Sequence, residues 1–202
     1  PSVQDSPPAR VAGEGLKFKP SIEAKHLIIY LVLVQGMVQI SGPFFTPYML
    51  MHLELSYMAY AGLIAVAFLA KIIAVGAWGQ LAQRRGAQWL LTVGGAAIVP
   101  LSSLWVVSES YTWLITIQAV NGAAWAAYEL GFFLMFFESM PSQRRIKMLT
   151  VYNLANTSAW WIGSMIGAAI LQRMGSSPQA YYTLFVVSSC GRCLAFAYLV
   201  TH

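Results

Sequence analysis

Residues 55–83 read LSYMAYAGLIAVAFLAKIIAVGAWGQLAQ, and Lys71 is the only charge among these 29 residues. A helix crosses the roughly 30 Å hydrocarbon core of a bilayer with about 20 apolar residues. This stretch is long enough and does not alternate, so it reads as a membrane-spanning helix and not as a barrel strand. Five further stretches share its character: residues 27–53, 86–108, 110–137, 148–172 and 174–202. Glu129 and Arg192 are the only Asp, Glu, Lys or Arg in the central parts of these five. The chain is 58% apolar and 9% charged, with a mean hydropathy of +0.62. A soluble domain carries about 25% charged residues. This composition argues against a cytosolic enzyme, a nucleic-acid reader and a disordered chain, and names the lipid bilayer as the main partner. Six spans fit into 202 residues; ten would not.

Residues 1–25 differ from the rest, being rich in Pro, Gly and charge and lacking an apolar period. They read as a flexible cytoplasmic linker ahead of a bundle over residues 26–202. Arg10, Lys17, Lys19 and Lys25 precede the first span. Arg84 and Arg85 follow the second, and Arg144, Arg145 and Lys147 follow the fourth. With six spans these nine of the twelve basic residues share one side, and only Arg173 sits in an opposite loop. The positive-inside rule then places both termini in the cytoplasm. The net charge of +5 is thereby a topology signal, and no nucleic-acid partner is expected.

Pro43 and Pro47 interrupt the first span within SGPFFTPYML. Each proline removes a backbone donor and kinks a helix, either for packing or at a gate. Gly163 and Gly167 form a small-xxx-small pair in the fifth span, a spacing that favours close helix packing. Cys190 and Cys193 have the spacing of a redox pair but no helper histidine, so they read as two buried, reduced thiols. No metal-ligand cluster or cofactor motif is present.

The segment GQLAQRRG, residues 79–86, is expected in the short loop after the second span. It resembles the loop signature G-x-L-A-D-R-x-G-R-R of the major facilitator superfamily. Gly79, Leu81, Ala82, Arg84 and Gly86 match, while the acidic position holds Gln83 and the trailing basic positions hold Ala87 and Gln88. PSQRRIKMLTVYNLANTSAWWIGSMIGAAIL, residues 141–171, is similar to the family's P-x-x-x-R loop and the glycine-containing span after it. Residues 41–72 resemble the start of the family's second half. The resemblance implies an all-α, six-helix bundle forming the C-terminal half of such a transporter, with an N-terminal six-helix half as its partner. It further implies secondary transport of a small solute by alternating access, with proton coupling as one option, in the plasma membrane, most simply a bacterial inner membrane.

Charges inside spans are costly and face a partner or water. Lys71, Glu129 and Arg192 lie about 14 to 20 Å from the cytoplasmic ends of their spans, at 1.5 Å per residue, hence near the midplane. Gln118, Asn121, Trp125 and Glu129 are spaced 3, 4 and 4 apart and share one helical face. Asn153, Asn156, Trp160 and Ser164 repeat that spacing on the fifth span, and Gln35 and Gln39 share a face on the first. A polar face with one Trp suits a solute cavity, the alternative being hydrogen bonding between helices. The cavity candidates are Gln35, Gln39, Lys71, Gln118, Asn121, Trp125, Glu129, Asn156 and Trp160. Lys71 and Glu129 are expected to form a buried ion pair that fixes the fold or a gate, or else Glu129 carries a transported proton. Arg192 is expected to be peripheral, pairing with Glu129 or snorkelling. If all three charges face one cavity, their sum of +1 points to an anionic solute. An intramembrane enzyme is disfavoured, because no histidine lies mid-span and no nucleophile motif appears. A transport-inactive sensor or assembly partner with the same fold is the alternative.

Overall fold

A computed structural model describes residues 22–139 and 145–201, and these are almost entirely helical. The first 21 residues of the expected linker, the 140–144 part of the fourth connection and His202 lie outside the described residues. Six helices are long and apolar enough to cross a membrane. Their regular α-helical parts are α1 (Ile22–Ser41), α2 (Tyr57–Arg85), α3 (Ala87–Ile98), α4 (Tyr111–Glu138), α5 (Arg145–Met174) and α6 (Pro178–Thr201), the first span running on to His52 and the third to Val106. The described part of α1 reaches four residues into the stretch expected to be linker, where IEAK contains no breaker.

The spans containing α1 and α3 are broken where the sequence carries proline. After Ser41 the first span continues through a 3₁₀ turn at Gly42–Phe44, one α turn at Phe45–Pro47 and a π turn at Tyr48–His52. Pro43 stands in the first positions of the 3₁₀ turn, where its missing N–H costs least. The distorted turns lay Phe45 flat on Phe185, with ring centroids 4.5 Å apart, and set Tyr48 edge-on to the same ring. Pro100 follows the end of α3, and the span resumes as a 3₁₀ turn at Ser103–Val106. Buried Ser102 donates to the Phe185 carbonyl at 3.0 Å, and Ser189 Oγ accepts from the Ser103 N–H at 3.1 Å. Ser189 of α6 thus satisfies an N–H that the break exposes, as a low-dielectric interior demands.

The GQLAQRRG segment is not a loop. Residues 79–85 complete α2, because nothing before Gly86 stops a helix. Gly86 carries φ +86°, in the left-handed region that favours glycine, and turns the chain directly into α3. Arg84 and Arg85 occupy the last turn of α2, where the helix dipole favours cations.

The four main helix interfaces fall into a pattern. Helix α4 packs chiefly on α2 and α3, and α1 packs chiefly on α5 and α6. Replacing each helix by the one three places along converts the first trio into the second. Glycine lies at each of the four contacts. A Cβ on Gly122 of α4 would overlap the Ala67 carbonyl of α2, and one on Gly94 of α3 would overlap the Tyr128 backbone of α4. Gly163 and Gly167 of α5 sit on the Gly36 and Ile40 carbonyls of α1, so the small-xxx-small pair is a packing device. Gly191 of α6 receives Met37 of α1.

Two apolar clusters fill the interior. One, around Tyr30, Leu31, Leu91, Tyr128, Phe136 and Tyr152, lies toward the end where the described chain begins and stops. The other, around Tyr48, Leu63, Trp105, Leu114, Leu184 and Phe185, lies toward the opposite end. Helices α2 and α5 keep broad apolar faces outward, including Phe68, Leu69, Ile72 and Ile73 on α2 and Leu154, Trp161, Ile162 and Ile166 on α5.

Gly122→Ala is expected to destabilise the detergent-solubilised protein by about 1–3 kcal/mol, the cost of overpacking a tight contact. Gly76→Ala, with no atom within 4 Å of the added Cβ, leaves Tm unchanged or raised. Thermal unfolding of the two variants side by side checks the contact.

Candidate functional site

The stripe on α4 is aimed into the bundle. Gln118 is 6% exposed, Asn121 and Trp125 are half-buried, and Glu129 is the outermost member. Two neighbouring cavities, of about 280 and 240 Å³, share Ile64, Gln118, Asn121 and Trp125 as walls. The larger reaches Thr46, Ser102, Trp105 and Arg192; the smaller reaches Lys71 and Glu129. The larger takes walls from both apolar clusters, Leu101 from one and Met49 and Trp105 from the other, so it lies between them.

Lys71 Nζ stands 2.6 Å from Glu129 Oε2, linking α2 to α4 beside the tight Gly122 contact, one turn along α2 from Ala67 and two turns along α4 from Gly122. The two side chains are 32% and 49% exposed, so the pair is half-open and not sealed in the core. Trp78 Nε1 donates to the Ala123 carbonyl at 2.9 Å and fixes the same two helices further along. Within the stripe, Asn121 Nδ2 donates to Gln118 Oε1 at 3.2 Å.

Of the nine cavity candidates, Lys71, Gln118, Asn121, Trp125 and Glu129 come together around these two spaces. The other four do not line them. Gln39 lies against Gly42 and Gly163, within the α1–α5 contact. Gln35 Oε1 and Asn156 Oδ1 are buried without a hydrogen-bond partner among the described residues. Trp160 is exposed on α5. Asn153 lines a different, aromatic hollow with Phe132, Phe136, Arg145 and Tyr152.

Arg192 corrects the sequence reading. It neither snorkels nor pairs with Glu129, but is 4% exposed in the interior. Its Nη1 donates to the Ile98 carbonyl at 3.1 Å and its Nη2 to Ser41 Oγ at 3.2 Å. Ser188 donates to the Met37 carbonyl at 2.7 Å and accepts from Ser41 at 2.9 Å, tying α6 to α1 beside the guanidinium. The reason is the register of α6. Tyr181, Leu184, Phe185, Ser188, Ser189, Arg192 and Ala195 form one buried stripe. The same register turns Cys190 and Cys193 outward, so the thiols are exposed and free, contrary to the buried pair expected. Ser41, Ser102, Ser188 and Ser189 belong to this polar interior and were not singled out from sequence. A signal was present, since SSxxR in residues 188–192 puts three polar groups on one helical face.

The Lys71–Glu129 pair predicts a positive double-mutant coupling. Lys71→Met and Glu129→Gln each lower stability, and the double variant costs less than the sum of the two by about 1 kcal/mol, as for a half-exposed pair. Chemical unfolding in mild detergent reads the cycle, and strict additivity would refute the coupling.

No protein-family model, curated protein or solved structure matches this chain.

Proposed function

We propose that the chain is the C-terminal six-helix half of a major facilitator-type secondary transporter. It moves a small solute across the plasma membrane, with no enzymatic step. The observation that carries the reading is a space between the two apolar clusters of a six-span bundle, with Gln118, Asn121 and Trp125 set into its walls and the Lys71–Glu129 pair at its border. An all-apolar bundle is cheaper to build in lipid, so intramembrane polar groups around a space mark a solute or ion path. The pairing of α4 with α2 and α3, matched by α1 with α5 and α6, supports the same reading. Six-span halves of this superfamily are built as nested repeats of three spans.

In this proposal both termini are cytoplasmic, with Arg84, Arg85, Arg145 and Lys147 on that face. The half rocks against an N-terminal partner, and the outward faces of α2 and α5 meet lipid or that partner. The Lys71–Glu129 pair holds α2 to α4 in one state, and Glu129 is the group through which proton coupling would act.

Two measurements test the proposal. In proteoliposomes of the full-length protein, a mixed pool of small metabolites followed by mass spectrometry shows accumulation of at least one solute. Glu129→Gln lowers that flux tenfold or more, and absence of flux for every solute supplied would sink the transport reading. Single cysteines placed at Arg84 and at Glu109, in a chain lacking Cys190 and Cys193, are labelled by an impermeant maleimide from opposite faces of the membrane. Labelling of Glu109→Cys from the cytoplasmic face would invert the topology.

A further inference from the structure

Among the charged groups described inside the spans, Lys71 and Glu129 neutralise each other at 2.6 Å. Arg192 remains. It is 4% exposed and no carboxylate contacts it among the described residues. An arginine stays protonated in proteins and carries five N–H donors. Two of these are used, by the Ile98 carbonyl and Ser41 Oγ, and Nε has no partner. Ile98 ends α3, so its carbonyl belongs to the negative pole of that helix. A helix terminus supplies about half an elementary charge at most. The interior is therefore left net positive at Arg192, and a buried charge without a counter-ion is strongly unfavourable.

The place where the counter-charge can sit is the 280 Å³ cavity that Arg192 lines. Gln118 faces the same space. Its Oε1 is engaged by Asn121 Nδ2, which leaves its own amide N–H groups as donors. Trp105, Trp125 and Phe45 supply apolar walls. A planar guanidinium fork, amide donors and aromatic walls suit a small carboxylate better than a spherical ion. The volume, about 280 Å³, is at the low end of ligand pockets and suits a small guest.

We propose that Arg192 is the anion anchor of this cavity and that the solute is a small monocarboxylate. This rests on the transport reading for the role of the site but concerns binding, which is measured separately. The carboxylate lies against the guanidinium and the Gln118 amide, and its apolar end lies between Trp105 and Trp125. The Lys71–Glu129 pair, being neutral as a unit, leaves the charge preference of the site to Arg192.

The test is equilibrium binding to the full-length protein in detergent, read by the intrinsic fluorescence of Trp105 and Trp125 and by calorimetry. The probes are sodium lactate, its neutral isostere lactamide and sodium nitrate, in a buffer whose only other anion is a bulky sulfonate. Lactate is expected to bind saturably, and lactamide and nitrate at least tenfold more weakly. Gln118→Glu, which keeps the shape and gives the cavity its own acid, lowers lactate affinity at least tenfold. Arg192→Gln does the same, and Arg192→Lys retains part of the binding. Arg173→Gln, which removes one exposed charge far from the cavity, leaves it unchanged. Because Arg192→Gln removes a buried structural contact, the lactate–lactamide ratio of the unmodified protein and the isosteric Gln118→Glu variant keep the test independent of its folding. Equal binding of lactate and lactamide, no binding of lactate, or undiminished affinity in Gln118→Glu would each overturn the proposal. Tighter binding of nitrate than of lactate would overturn the carboxylate assignment. Saturable lactate binding with no flux of any supplied solute in vesicles would leave the carboxylate site standing and refute transport.

Discussion

Close approach of helix backbones is the constraint on which the rest of this bundle depends. In lipid, helices gain little from burying apolar surface, so association relies on packing and interhelical hydrogen bonds. Here glycine removes the side chain at each principal interface: Gly122 between α2 and α4, Gly94 between α3 and α4, Gly163 and Gly167 between α1 and α5, and Gly191 between α1 and α6. Each contact sets a helix separation that a Cβ would widen. The Lys71–Glu129 pair, the Trp78 bond to Ala123 and the serine bridges of α6 all span distances fixed by these contacts. The polar interior is a consequence of the packing and not its cause.

Much of the fold is legible in the sequence because lipid imposes a simple code. Six long apolar stretches became six membrane-length helices, with ends shifted by a few residues. The shifts have local causes. GQLAQRRG has no residue that stops a helix before Gly86, so a segment expected in a loop completes α2. Residues 22–25 likewise extend α1, because charge alone does not end a helix. The proline breaks were visible, but their geometry was not, since it depends on Phe185, Trp105 and Ser189 arriving from distant helices.

The site was legible where one helix carries it. Spacing alone identified the stripe on α4, and it does face a cavity together with its partner Lys71. The candidates on α1 and α5 do not line these two spaces, because periodicity says which groups share a face, not which neighbour that face meets. Gln39 went into a glycine contact, and Trp160 went outward. Arg192 shows the limit most clearly. As a lone charge on the last helix it read as peripheral, whereas its environment is set by Ile98 and Ser41, 94 and 151 residues away in the chain.

The partnership of α2 with α4 has a consequence for how the chain is made. Lys71 is synthesised about 60 residues before Glu129, a delay of several seconds at about 5–20 residues per second. During that interval α2 must enter the bilayer with an ammonium at its centre and no acid to meet it. A lysine there costs about 3 kcal/mol. Helix α2 is the most apolar of the six spans and buries the least of itself in the bundle, in keeping with its outward apolar faces. Its composition makes sense as a property of the insertion step: the surrounding Ile, Leu, Phe and Ala residues carry the lysine into the membrane until α4 arrives.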